Sequence, residues 1–393
     1  MTIDIWNDYE SMPLPDVLSF IVDNRGKTVP TDENGTHILI ATNCIRNENL
    51  YPSYDKVRLL NDDIYENWFR AHPLPGDIIF VNKGTPGRVC MVPDPVDFCI
   101  AQDMMAFRVN EDIIYNKYLL AVLRNPRIQA QIAATTVGDV IPHFKKQQLG
   151  EIRIPIPPMK IQKRIGDLYF MFCAKEECNK KINNNLEQQA QAIYQQIVID
   201  NASSDWTEGT LSDIADIIMG QSPSGSSYNE DGNGTIFFQG RAEFGFRFPT
   251  VRLYTTEPKR MACANDTLMS VRAPVGDLNV AHTDCCIGRG LAAIHSKNNH
   301  QSFVLYTMFS LKKQLDVFNG EGTVFGSINR ISLNEMPILI PSSEKIDEFE
   351  ALVAPMDAAI RNNYDEISRL EQLRDSLLPK LMSGELDVSD IDL

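Results

Sequence analysis

Two stretches of the chain place apolar residues at helical spacing over many turns. In the first, Ile161, Ile165, Leu168, Phe172, Ile182, Leu186, Ala190, Ile193 and Ile197 recur at steps of three, four or their multiples. In the second, Ile346, Phe349, Val353, Met356, Ile360, Ile367, Leu370, Leu377 and Leu381 do the same. Heptad-like stripes of this kind predict long helices that pack along a seam. Each is entered through prolines that favour an extended lead-in, Pro155, Pro157 and Pro158 before one, Pro337 and Pro341 before the other. Pro355 predicts a kink near the start of the second helix, because its ring clashes with the preceding turn.

The two stretches belong to an internal repeat of long period. Leu149-Gly150-Glu151-Ile152-Arg153-Ile154-Pro155-Ile156-Pro157 aligns with Leu333-Asn334-Glu335-Met336-Pro337-Ile338-Leu339-Ile340-Pro341 at an offset of 184. Upstream the offset drifts to 189, pairing Pro75 to Phe80 with Ala264 to Met269 and Lys83 with Arg272, and then to 197, pairing Leu14 to Val17 with Leu211 to Ile214. Drift of this kind reflects loops of different length on a shared plan. Along the helices, Ile165, Phe172, Leu186 and Ile193 map onto Phe349, Met356, Leu370 and Leu377, and the polar Asn179 maps onto Asn363. A buried Asn in a helical seam fixes register and orientation at a cost in stability.

The remainder of each repeat carries short apolar or alternating runs broken by Gly, Pro, Asn and Asp, such as Gly76 to Val81 and Thr267 to Arg272, which read as strands and turns. Within them Asn116 to Arg124 and Gln301 to Leu315 read as helices. The expected fold is therefore mixed α/β (α+β), with globular parts over 1–157 and 205–341 and helical parts over 158–204 and 342–393. Two helices of about 38 residues, each about 57 Å long, would pack antiparallel as a coiled-coil spacer with pseudo-two-fold symmetry.

Composition narrows the function classes. With 393 residues and 43% hydrophobic content the chain can bury more than one core, and its longest apolar runs fall far short of a membrane span. The acidic N-terminus lacks the basic and apolar regions of a signal peptide, so the chain reads as soluble and cytoplasmic. Eight cysteines without a C-x-x-C pair read as free, mostly buried thiols, and no metal site is expected. The net charge of −15 argues at first against a nucleic-acid partner. Its location changes that picture: Lys and Arg number 5 against 13 Asp and Glu in 342–393, but 15 against 20 in 1–157 and 11 against 14 in 205–341, so the globular parts are only mildly acidic.

Catalytic patterns are missing. There is no G-x-x-x-x-G-K-[ST], H-E-x-x-H or G-x-S-x-G, and no N/D-P-P-Y/F tetrapeptide of an aminomethyltransferase. Glu257 precedes Lys259 by two positions as a nuclease would require, but it lies far along the chain from Pro15-Asp16 and Pro93-Asp94. The expectation is a chain without a catalytic centre.

Binding signals are present instead. Between Phe237 and Arg272, Arg241, Arg247, Arg252, Lys259, Arg260 and Arg272 outnumber Glu243, Glu257 and Asp266, with six aromatic residues interleaved. Cations of this kind contact phosphates or read guanine edges. Two Gly-containing loops at equivalent positions end in cations: Val137 to Lys146, which offers Lys145 and Lys146, and Gly320 to Arg330, which offers Arg330. Lys83 with Arg88, and Arg272 with Arg289, occupy another repeated turn.

These features together resemble the specificity subunit of a type I restriction-modification system. The resemblance covers essentially the whole chain. It rests on the proline-led helix entries, on Trp206 to Gly220-Gln221-Ser222-Pro223, and above all on the tail from Leu373-Arg374-Asp375-Ser376-Leu377-Leu378-Pro379-Lys380-Leu381 to Leu386. The first helix departs from the pattern, ending Ala192-Ile193-Tyr194-Gln195-Gln196-Ile197 without Leu-Pro-Lys-Leu. The resemblance implies two target-recognition domains that each bind half of a bipartite double-stranded DNA target, and a coiled coil that sets the gap and docks methyltransferase (modification) and restriction subunits. It implies that S-adenosylmethionine, ATP and Mg are used on those partners and not in this chain. A specificity partner of a fused restriction-modification enzyme, and a coiled-coil scaffold that binds protein, are the alternatives.

Overall fold

The computed structural model describes residues 4–24, 26–138, 141–272, 274–320 and 326–386. The chain folds as two compact units, Met1–Lys180 with Asp365–Leu393 (unit 1) and Lys181–Tyr364 (unit 2). Each contains parts of both long helices, Met159–Tyr194 and Ser343–Met382. The first ends in a π-helical turn, Gln195–Asp200. The second is helical without interruption through Pro355, which is exposed.

In unit 1, Ser11–Pro13 pairs antiparallel with Arg153–Pro155 just before the chain enters the long helix. A four-stranded sheet follows in the order Leu18–Asp23, Met104–Val109, Ile78–Val81, Val89–Met91. A second sheet orders Arg58–Leu60, His37–Ile40 and Phe98–Ile100, the last two parallel. Unit 2 repeats this plan. Thr207–Thr210 pairs with Pro337–Ile340, and the four-stranded sheet runs Ala215–Met219, Leu291–Ser296, Thr267–Ser270, Leu278–Val280. Its second sheet has five strands, including the parallel pair Thr235–Phe238 and Cys285–Ile287. The match extends to single hydrogen bonds: the Leu14 amide donates to the Ile152 carbonyl, and the Leu211 amide to that of Met336, both at 2.9 Å.

The central strands of these sheets are buried on both faces, and the two-residue period of a strand sorts their side chains into layers. Ile78 and Phe80 face a core shared with the helix Asn116–Arg124 and the long helices, whereas Ile79 and Val81 face the second sheet. In unit 2, Met269 and Leu268 divide in the same way. Each buried Ile, Leu or Phe contributes about 1.5–3 kcal/mol. The resulting layers are sheet, sheet and helix. Close approach shapes two glycines: Gly276, at φ +88°, sits where a Cβ would come within 2.9 Å of Leu315, and Gly220 lies against the Gly288 carbonyl.

The long helices contact one another within each unit. In unit 1, Leu168, Tyr169 and Phe172 of the first line the same hollow as Leu377, Leu378 and Leu381 of the second. In unit 2, Tyr194 stacks edge-on to Phe349 at 5.5 Å. Early residues of one helix thus meet late residues of the other, the antiparallel arrangement that the repeat predicts. The seam itself differs from an apolar stripe. Ile165 and Phe349 are fully buried and Phe172, Leu186, Ile193, Met356, Leu370 and Leu377 are half-buried, but Ile182 is 41% exposed. The buried positions at its middle are Glu176, Asn179 and Asn183. In unit 1, Arg374 donates to both Glu176 oxygens at 2.9 and 2.8 Å, and the Asn179 amide donates to Glu366 at 2.8 Å. In unit 2, the half-buried Asn363 donates to Asn183 Oδ1 at 2.8 Å.

The chain start closes unit 1. The Ile5 amide donates to the Met382 carbonyl at 2.9 Å, and both residues lie in the same core.

Candidate nucleic-acid interface

In both units one end of the four-stranded sheet is met by the loop that follows the helical segment. In unit 1, the Phe144 amide donates to the Asn82 carbonyl at 2.7 Å, the Gly84 amide to the Pro142 carbonyl at 2.9 Å, and Lys83 bridges to His143. In unit 2, the Ile328 amide donates to the Val271 carbonyl at 3.1 Å, and Arg272 bridges to Ser327. Lys83 and Arg272, paired in the sequence, therefore occupy the same place in the same junction. Of the two Gly-containing loops, Asp139, Val140 and residues 321–325 lie outside the described residues.

Exposed cations gather at these junctions. In unit 1, Lys83, Arg88, Lys145 and Lys146 are exposed; Lys83 lies 3.9 Å from Asp103, and Lys146 pairs with Asp23 at 2.9 Å. Arg272 and Arg330 are exposed in unit 2. Asn82 Oδ1 and His143 Nδ1 are buried without a hydrogen-bond partner among the described residues. Exposed cations gathered at a sheet end suit a polyanion.

Comparison with known proteins decides which polyanion reader this is. The type I restriction modification DNA specificity domain matches the chain twice, over residues 7–188 and 203–371. The chain belongs to the type I restriction-modification specificity family. A protein named as the specificity subunit of type I restriction enzyme MjaX, from Methanocaldococcus jannaschii, is 29% identical over 98% of this chain and 95% of its own length. The MjaIX specificity subunit of the same organism is 23% identical over 88% of this chain and 85% of its own. The solved type I S subunit from M. genitalium shares the fold, with a TM-score of 0.64 over 97% of this chain and 98% of that one at 16% identity.

For this specificity subunit, the remaining basic residues fall into three groups. Arg241 and Arg252 are exposed but tied to neighbours, Arg241 to Asp277 at 2.8 Å and Arg252 to Glu243 at 3.1 Å. Lys259 and Arg260 are exposed just before the strand Met261–Ala262. Arg247 departs from the expectation of a DNA contact, being only 4% exposed. It donates to Asp357 at 2.9 Å and to the Tyr306 hydroxyl at 3.1 Å and lies 3.5 Å from Glu187. Burial works against its charge, but Tyr306, Asp357 and Glu187 hold its pKa above the ordinary value. Arg247 is an internal counter-ion that joins the recognition sheets to the helices within unit 2.

The sequence reading did not single out Glu176, Asn183, Glu187 or Asp357. Glu176 and Asn183 occupy heptad-like positions where polarity reads as a gap in the stripe, and only partners distant in sequence reveal their role. Among the described residues, no three His, Cys, Asp or Glu side chains are placed to hold a metal ion, and no helix is long and apolar enough to cross a membrane. Six of the eight cysteines are buried, and burial pushes the Cys99 and Cys285 thiols up to about 12.

Proposed function

We propose that this specificity subunit reads a bipartite, gapped DNA target for a type I restriction-modification complex. Each domain copy binds one half-site, and the long helices dock the modification and restriction subunits. The recognition domains correspond to 1–157 and 205–341, with 158–204 and 342–393 as the docking and spacing regions. The observation that carries this reading is the basic strand-end junction built twice, at Lys83 and at Arg272, within two matched specificity domains. The chain performs no catalysis: S-adenosylmethionine, ATP and Mg serve the partner subunits. Those subunits also supply much of the phosphate-neutralising charge that a chain of net charge −15 lacks.

The test is base-modification sequencing of the host genome with and without the gene. Loss of methylation at one bipartite motif is the expected result. An unchanged methylome, together with failure to co-purify a methyltransferase, refutes the proposal. An isolated chain that binds DNA as tightly as the full complex, with as steep a salt dependence, refutes the charge-sharing part.

A further inference from the structure

The two junctions share a backbone and differ in the side chains that stand on it. In unit 1, the Asn82 amide donates to the Asp103 carbonyl at 3.0 Å, one step beyond the Val81–Met104 pair, which brings Lys83 and the turn that holds Gln102 to the same end of the sheet. In unit 2, the Val271 amide donates to the Gly290 carbonyl at 2.9 Å, one step beyond the Ser270–Leu291 pair, which brings Arg272 and the turn that holds Arg289 to the same end of the sheet. The third segment adds His143 beside Lys83 and Ser327 beside Arg272. Unit 1 thus presents an ammonium, an amide and an imidazole, with the ammonium and amide turned toward Asp103 at 3.9 and 3.5 Å. Unit 2 presents two exposed guanidiniums and a hydroxyl, and neither guanidinium is paired with a carboxylate among the described residues.

Arg272 stands in the turn of the antiparallel hairpin formed by Thr267–Ser270 and Leu278–Val280. The strands are packed into the four-stranded sheet, so the turn and not the ribbon is what a DNA groove can meet, and a guanidinium fork in the major groove matches the O6 and N7 acceptors of guanine. Arg241 and Arg252 are held by carboxylates. Among the described residues, Arg272 and Arg289 have no carboxylate partner to give up before meeting a base.

We propose that Arg272 and Arg289 are guanine-reading residues for the half-site bound by unit 2. The inference rests on the specificity reading above and adds the base that unit 2 selects. The experiment compares the methylation motifs of the full complex carrying wild-type chain, Arg272→Gln, Arg289→Gln or Arg289→Lys. Gln102→Arg in unit 1 marks which half-site belongs to which unit. A wild-type motif with guanine in the half-site that Gln102→Arg leaves unchanged is expected. Each Gln variant should lose about ten- to a hundredfold of its preference at one guanine, with the other half-site and the gap unchanged. Arg289→Lys should also relax that guanine, because an ammonium lacks the rigid fork. Variants that keep the wild-type motif and only slow methylation or steepen its salt sensitivity make these residues phosphate contacts and overturn the inference, as does a unit 2 half-site without guanine. A wild-type complex with no bipartite motif overturns the specificity reading itself, so the two failures are distinguishable.

Discussion

Replacing Arg374 with Met tests the polar centre of the helix pair in unit 1. Glu176 is 1% exposed, and Arg374 holds both its oxygens. Burial raises the Glu176 pKa above the ordinary carboxylate value even though Arg374 pulls it down. Without the guanidinium, the carboxylate keeps its burial and loses its main partner, which costs about 3–5 kcal/mol. The Arg374 side chain is itself 13% exposed, so water can partly compensate, and the lower end, about 3 kcal/mol, is expected. For a unit of about 200 residues, each 1 kcal/mol lowers Tm by about 2–4 °C, giving a fall of about 6–12 °C in the unit 1 transition. Circular dichroism melts of the full chain measure it, with the exposed Arg369→Met as control. Adding Glu176→Leu should restore most of the loss, because an apolar pair replaces a broken ionic one. Protonation gives a second readout. A carboxyl whose folded pKa is raised destabilises when ionised, so the cost stands at about pH 7.5 and shrinks as the pH falls toward about 5. A double variant as unstable as Arg374→Met, or a loss no larger than that of Arg369→Met, would refute the reasoning.

Other substitutions separate architecture from recognition. Arg247→Ala leaves Glu187 and Asp357 without their shared cation and should lower unit 2 stability by about 3 kcal/mol or more, read as a shifted melt, while the surviving folded complex methylates the wild-type motif. Lys145→Ala should reduce the slope of log K against log salt by about 1 without changing the motif, and Lys146→Ala should reduce it less because Asp23 already holds that ammonium; fluorescence anisotropy of the complex on DNA measures both. A native thiol titration should find two fast groups among the eight cysteines, Cys178 and Cys263. Cys263 should react more slowly near neutral pH, since Asp266 beside it raises its pKa and lowers its thiolate fraction.

Much of this architecture is legible in the sequence because it is written twice. Leu149 to Pro157 and Leu333 to Pro341 align residue by residue, and the structure gives both the same strand pairing and helix entry. Lys83 and Arg272 could be matched before their surroundings were seen. The middle of the helix seam was not legible, because a buried Glu or Asn in a stripe looks like solvent-facing polarity until its partner is known. Glu176 finds Arg374, and Asn183 finds Asn363, nearly two hundred positions away. Arg247 misled for the opposite reason: amid Phe246, Phe248 and other cations it reads as surface, but its counter-charges come from helices remote in sequence. Local pattern carries the periodicity of an element, whereas the identity of a buried ionic partner depends on contacts between distant segments.

The bond between Ile5 and Met382 has a consequence for how the molecule is made. Unit 1 draws on the two ends of the chain, so a ribosome releases all of residues 181–364 before the segment that completes it. At about 5–20 residues per second, the wait lasts about 10–40 s. Unit 2, second in the sequence, is then the first able to finish folding. Throughout that interval Leu168, Tyr169 and Cys173 lack the cover of Leu377 and Leu381, leaving apolar surface for chaperones to shield. A nascent chain released after residue 364 would contain every strand of unit 1 and still lack the later part of the second long helix, 365–382, that seals its core.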